Sequence, residues 1–163
     1  MKQEIINKLP PDVKKEFMKY AIKLDQKKTE NKVKSDFLSF VKHVWPEFIE
    51  GDHHKKIAEK FNRLAEGKAK RIIINMPPRH TKSEFSSYLL PAWMVGRKPN
   101  LKIIQTTHTT ELAIRFGRKA KTLIDSPEYQ QVFKTRLRED SQAAGKWETE
   151  QGGEYYAAGV GSA

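Results

Sequence analysis

The chain is 163 residues long, enough for one domain of ordinary size with a core that can fold unaided. It has no cysteine, which excludes disulfide scaffolds, thiolate zinc sites and cysteine nucleophiles, and its apolar runs fall far short of a membrane span. Thirty-one Lys and Arg against 20 Asp and Glu leave a net charge of +11, which points to a polyanionic partner such as nucleic acid or nucleotide phosphate; a merely solvated basic surface is the bland alternative.

Charge across Met1–Asn7, with Leu9 running into Pro10-Pro11, gives no signal-peptide pattern, and a reducing aqueous compartment fits. Pro11 and Asp12 suit a helix start, and Val13, Phe17, Ala21 and Leu24 follow at helical spacing. Gln26–Lys32 is polar without a buried period and reads as a linker. Residues 1–34 are therefore expected to form a basic helical arm, in which ten lysines against five acids leave +5. Ser35-Asp36 can cap a second helix bearing Phe37, Leu38, Phe40, Val41, Val44 and Trp45, stopped by Pro46. Gly51-Asp52 opens a third, with Ile57, Ala58, Phe61, Leu64 and Ala65 on one face and Gly67 at its end.

Arg71–Asn75 is a short β-branched run between helical segments and reads as a buried central strand of a parallel sheet. After the loop Met76–Thr81, helical spacing returns at Phe85, Tyr88, Leu89, Ala92 and Trp93; Pro91 should kink this helix and Gly96 should end it. Pro99-Asn100 turns the chain into a second strand, Leu101–Thr107, which completes a βαβ unit. A helix over Thr110–Ile124 turns Leu112, Ala113, Phe116, Ala120, Leu123 and Ile124 inward and Arg115, Arg118, Lys119 and Lys121 outward, and Ser126-Pro127 stops it. Trp147–Tyr156 reads as a hairpin turning at Gly152-Gly153.

The richest chemistry lies in Asn75–Glu84, between the first predicted strand and a helix N-terminus, where free amides and the helix dipole favour an anion. Lys82 followed by the Ser83 hydroxyl is what a nucleoside triphosphate needs there: an ammonium for the β/γ-phosphates and an oxygen for Mg²⁺. Met76 and Thr81 occupy the two glycine places of the usual G-x-x-x-x-G-K-[ST] pattern, so the motif is not literal. An ordinary strand-to-helix turn with an exposed lysine is the competing reading.

Pro77-Pro78-Arg79-His80-Thr81-Lys82-Ser83-Glu84 after an Ile-rich strand resembles the large terminase subunits of tailed bacteriophages, the motors that pump DNA into procapsids. The similarity continues in Trp45-Pro46 through His53-His54, Gln105-Thr106-Thr107, Leu112-Ala113 with Gly117-Arg118, Ser126–Tyr129 with Val132-Phe133, and Trp147 with Gly152-Gly153 and Gly159–Gly161, covering roughly residues 35–163. Where the family has Gly before the Lys, this chain has Thr81.

The βαβ pattern makes the class α/β, and the resemblance implies a P-loop NTPase-type parallel sheet flanked by helices and incomplete, over residues 35–163. It implies ATP and Mg²⁺ held by Pro78, Arg79, His80, Thr81, Lys82 and Ser83, with Ser83 as metal ligand, Arg79 as the catalytic arginine at the γ-phosphate, and His53 or His54 near the adenine. It implies dsDNA, a portal protein and a small terminase subunit as partners, a homo-oligomeric ring, no membrane, and the host cytoplasm. A third core strand ending in paired acids, followed by a nuclease domain, is expected beyond Gly161, so the chain corresponds to the front portion of the motor. The alternatives are another P-loop enzyme, helicase-like or a small kinase, and a non-enzymatic basic nucleic-acid-binding or regulatory fragment.

Overall fold

The structure, a computed structural model, describes residues 10–161; the first nine residues of the expected arm, and Ser162 and Ala163 at the other end, lie outside them. Helix α1 (Pro11–Ser35) starts with proline at its first position and Asp12 in its first turn, and it ends with Lys32 and Lys34 in its last, as the helix dipole favours. It runs unbroken through Gln26–Lys32, where a linker was expected. Lys, Gln and Glu are strong helix formers, and their polarity there reflects a solvated surface rather than a break.

Asp36 leaves helical geometry and caps α2 (Phe37–Val44), accepting from the Ser39 amide and hydroxyl at 2.7 Å each. Its other oxygen accepts from Asn62 of α3 (Asp52–Ala65) at 2.8 Å, and the Asn62 carbonyl oxygen accepts from the Phe37 amide. Burial pushes the Asp36 carboxyl up, but the bonds from Ser39 and Asn62 outweigh it and its pKa lies below the ordinary 3.8. One residue thus ends one helix through its backbone, and through its side chain starts a second and ties down a third.

The next helix begins at Lys82 and passes through a π-helical segment, Glu84–Leu89, into α4 (Leu90–Arg97). Pro91 explains the π turn, since it has no amide to give and its ring crowds the carbonyl four residues back, which the wider turn accommodates. Gly96, expected to end this helix, is its next-to-last residue, before Arg97. It lies inside α4, where an added Cβ would sit 2.6 Å from the Phe133 ring and 2.7 Å from the Tyr129 hydroxyl. Close packing requires glycine there.

Strand β1 (Lys102–Thr107), α5 (Thr110–Ile124), α6 (Pro127–Val132), β2 (Leu137–Ala143), β3 (Lys146–Thr149) and β4 (Glu154–Gly159) follow. The sheet has the order β1-β4-β3-β2, with β1 and β4 parallel and the β4–β3 and β3–β2 pairs antiparallel, so it is mixed rather than parallel. The β3–β4 hairpin turns at Gly152-Gly153, as expected, with Gly152 at φ 81°. Arg71–Asn75 forms no strand: nothing pairs with it among the described residues, and no βαβ unit forms between it and β1. Its Ile72 and Ile74 pack on the core while Ile73 is 88% exposed, so it is one-sided rather than a buried central strand.

Helices and sheet share one core. Phe37 is fully buried, with its ring centroid 5.1 to 5.4 Å from those of Phe61, Phe85 and Trp93. The Trp93 indole donates to the Val33 carbonyl at 3.1 Å, which fixes the C-terminal part of α1 to this cluster. Trp147 of β3 stacks on Tyr155 of β4 at 4.7 Å and donates to the Gly117 carbonyl of α5, joining sheet to helix. Residues at the C-terminal ends of α1 and α4 and just beyond α6 line one hollow of about 560 Å³, and Lys34, Arg97 and Lys134 there offset the carbonyl ends of the three helices. No helix among the described residues is long and apolar enough to cross a membrane.

Candidate functional site

The loop Pro77–Thr81 joins the Ile72–Met76 segment to the helix that begins at Lys82. Its backbone carries the two positive φ angles found outside glycine among the described residues, 64° at Arg79 and 58° at Thr81, with His80 between them on the ordinary side. Alternation of hand in consecutive residues turns successive amides toward one concavity, the geometry of anion-binding nests. The amides of Lys82, Ser83 and Glu84 have no carbonyl to bond within their own helix, and the first intrahelical bond is from the Phe85 amide to the Thr81 carbonyl at 2.9 Å. A hollow of about 480 Å³ lies here, lined by Pro77, Pro78, Arg79, Thr81, Lys82, Ser83 and Glu84.

The charge balance of the hollow is positive. Neither Arg79 nor Lys82 has an ion-pair partner among the described residues. The acid on the rim, Glu84, is paired with Lys119 of α5 at 2.5 Å, and the same ammonium lies 4.6 Å from the Tyr88 ring centroid. Lys119, expected on the outward basic face of this helix, therefore neutralises the carboxylate that would otherwise oppose an anion.

A β-branched residue at positive φ is strained by about 1–2 kcal/mol and persists only where its surroundings hold it. Thr81 is held twice: its hydroxyl donates to the His80 carbonyl at 2.7 Å and lies 2.7 Å from Nε2 of His54. His54 occupies the third position of α3 and reaches back to accept from the Gly51 amide at Nδ1, 2.9 Å away, so Nε2 carries the proton and donates to Thr81. His80 Nδ1 donates to the Pro78 carbonyl at 2.9 Å and closes the turn. The loop is therefore braced from α3, and Thr81 takes a backbone conformation that glycine would adopt freely.

His54 is buried, with its ring centroid 4.8 Å from Phe48 and 5.0 Å from Phe85. Burial, then the neighbouring His53 and His80 rings, hold its pKa below the ordinary 6.5. Both its nitrogens are committed to the protein, so it positions the loop and does not face the hollow. His53 contacts His54 at 3.8 Å and His80 at 5.7 Å between ring centroids, and its Nε2 is buried without a hydrogen-bond partner among the described residues. Ser83 is exposed at the helix start, beside the hollow.

A pH dependence follows. The stability carried by neutral His54 is complete above pH 6.5 and is lost as pH falls below 6.5 toward the depressed folded-state value, because there the unfolded chain takes up a proton that the folded chain refuses. Melting temperature is expected to drop between about pH 7.5 and about pH 5.5, and to drop less in His54→Gln, which keeps a donor but does not titrate. An equal drop in both proteins would remove His54 from this role.

The brace was legible in one respect: the third helical position is where a side chain returns to the N-cap amide, and His54 stands there. The Glu84–Lys119 pair joins residues 35 apart and carried no sequence signal. Among the described residues no group of three or more His, Cys, Asp or Glu is placed to hold a metal ion. Comparisons of the chain with protein-family models, with curated proteins and with solved structures give no match.

Proposed function

We propose that the chain is the ATP-binding portion of a viral DNA-packaging motor of the terminase large-subunit type, taking ATP with Mg²⁺ at Pro77–Glu84. The observation that carries the reading is the alternating backbone hand at Arg79–Thr81, set directly before a helix N-terminus and beside two cations, Arg79 and Lys82, that have no ion-pair partner among the described residues. The Lys82 ammonium and the loop amides hold the β- and γ-phosphates. Arg79 stands where charge develops on the transferring phosphoryl group, and the Ser83 hydroxyl is the ligand for Mg²⁺. Bound Mg²⁺ supplies charge neutralisation on the phosphates. His53, with a free buried nitrogen, stays as the group on the base side, whereas His54 braces Thr81.

On this reading the P-loop fold, the dsDNA, portal-protein and small-subunit partners, the ring assembly and the host-cytoplasm location come with the family resemblance. The test is equilibrium titration with ATP and Mg²⁺, competed by ADP and by adenosine. Saturable binding that ADP displaces and adenosine does not is the expected result, because the loop addresses phosphate rather than base. Absence of binding at millimolar nucleotide, or equal displacement by adenosine, overturns the proposal.

A further inference from the structure

The N-terminal half of α1, Pro11–Leu24, projects about 20 Å from the body of the protein at 1.5 Å per residue. From Pro10 to Thr29 every residue but Lys14 is exposed, whereas Val33 is buried in the core. The projecting part is nevertheless apolar along one line: Val13, Phe17, Tyr20 and Leu24 are 48%, 45%, 63% and 41% exposed. Their spacing of four, three and four residues keeps them within an arc of about 60°, the seam of a two-helix coiled coil. A free helix of this length is marginal in water, so a seam of this kind calls for a cover.

We infer that the cover is a second copy of this chain, docked antiparallel through α1 about a two-fold axis. The seam is self-complementary in that direction. Phe17 packs across from the partner's Tyr20, and Val13 across from the partner's Leu24. Glu16 and Lys23 flank the same side of the seam, and in an antiparallel pair that flank meets its own copy. Glu16 then faces the partner's Lys23, twice by symmetry. The other flank brings Lys14 to the partner's Ala21 and creates no like-charge contact.

Parallel pairing lacks this match: it sets Glu16 against the partner's Ala21 and Lys23 against the partner's Lys28, an opposition of like charges. The net charge of +11 per chain repels a second copy at long range, and salt screens that repulsion. Self-association should therefore tighten from low to moderate salt, whereas binding of the basic helix to nucleic acid would weaken.

The test is sedimentation velocity of the full chain from low to high micromolar concentration. A monomer–dimer equilibrium is expected, weakened at least about tenfold by Phe17→Asp, which removes a central anchor. Glu16→Lys or Lys23→Glu alone should weaken it roughly three- to tenfold, and the double reversal should restore it to within about twofold. All of these positions are exposed, so the body of the fold is left intact. A parent protein that stays monomeric across the range overturns the inference, as does one that uses this helix to bind duplex DNA instead. Tighter association of Lys23→Glu overturns it too, since that is the signature of parallel pairing with the partner's Lys28.

Discussion

Replacing Lys82 by alanine is expected to weaken ATP binding at least about 30-fold, on the order of 2 kcal/mol, while leaving the fold intact. Lys82 is half-buried at the start of the helix and makes no ion pair among the described residues, so its removal deprives no acid of a partner. Its charge stands beside the amides of the first turn, where an incoming phosphate is partly desolvated and a cation counts for more than on an open surface. The readout is thermal. At a hundredfold excess over Kd a ligand adds about 2.7 kcal/mol of stability, and in a chain of this size each kcal/mol moves the melting temperature by about 2–4 °C. The parent should gain about 5–11 °C with ATP and Mg²⁺, and Lys82→Ala no more than about a third of that at the same concentration. Matching shifts in the two proteins would place nucleotide binding away from this loop. Lys82→Arg should fall between them, because a guanidinium keeps the charge but presents a planar fork where the hollow suits a compact ammonium.

Local chemistry was legible wherever one residue type answers one local demand. Ser126-Pro127 closes α5 at the expected place, and the serine also caps α6 by accepting from the Tyr129 amide. The paired glycines turn the β3–β4 hairpin because Gly152 takes a positive φ that a side chain would resist. Long-range demands were not legible. Arg71–Asn75 has the composition of a buried strand, but pairing depends on a neighbour that composition cannot supply, and among the described residues it stays unpaired and buried on one side only. β2 runs through Arg138, Glu139 and Asp140 with no apolar alternation; Arg138 there pairs with Asp140 and with Glu148 of β3, so charge ladders replace the usual pattern. Gly96 carries the signature of a helix stop, but its function is set by rings some 35 residues later in the chain. Thr81 is the sharpest case. Sequence comparison with the usual phosphate-loop pattern marks it as a loss of glycine, whereas the structure places it in glycine's conformation and assigns the cost to a hydrogen bond from α3.

The support behind the loop is open to the same kind of test from the core side. Phe37→Ala is expected to lower stability by about 4 kcal/mol, a fall of roughly 8–16 °C in melting temperature. Phe37 has no exposed surface, and its ring meets Phe61 edge-on, Phe85 at 78° and Trp93 at 70°, so it joins α3, the π turn and α4 at a single point. Phe85 in turn packs against His54 and Phe48, and His54 holds Thr81. A cavity at position 37 therefore loosens both walls that position the loop. ATP affinity should fall along with stability, even though Phe37 lies outside the hollow. Phe37→Leu, which leaves a much smaller void, is expected to cost about 1–1.5 kcal/mol and to bind ATP nearly as well as the parent. A Phe37→Ala protein that melts early but keeps full ATP affinity at low temperature would show that the loop holds its shape without the aromatic cluster, and that the brace from His54 is sufficient by itself.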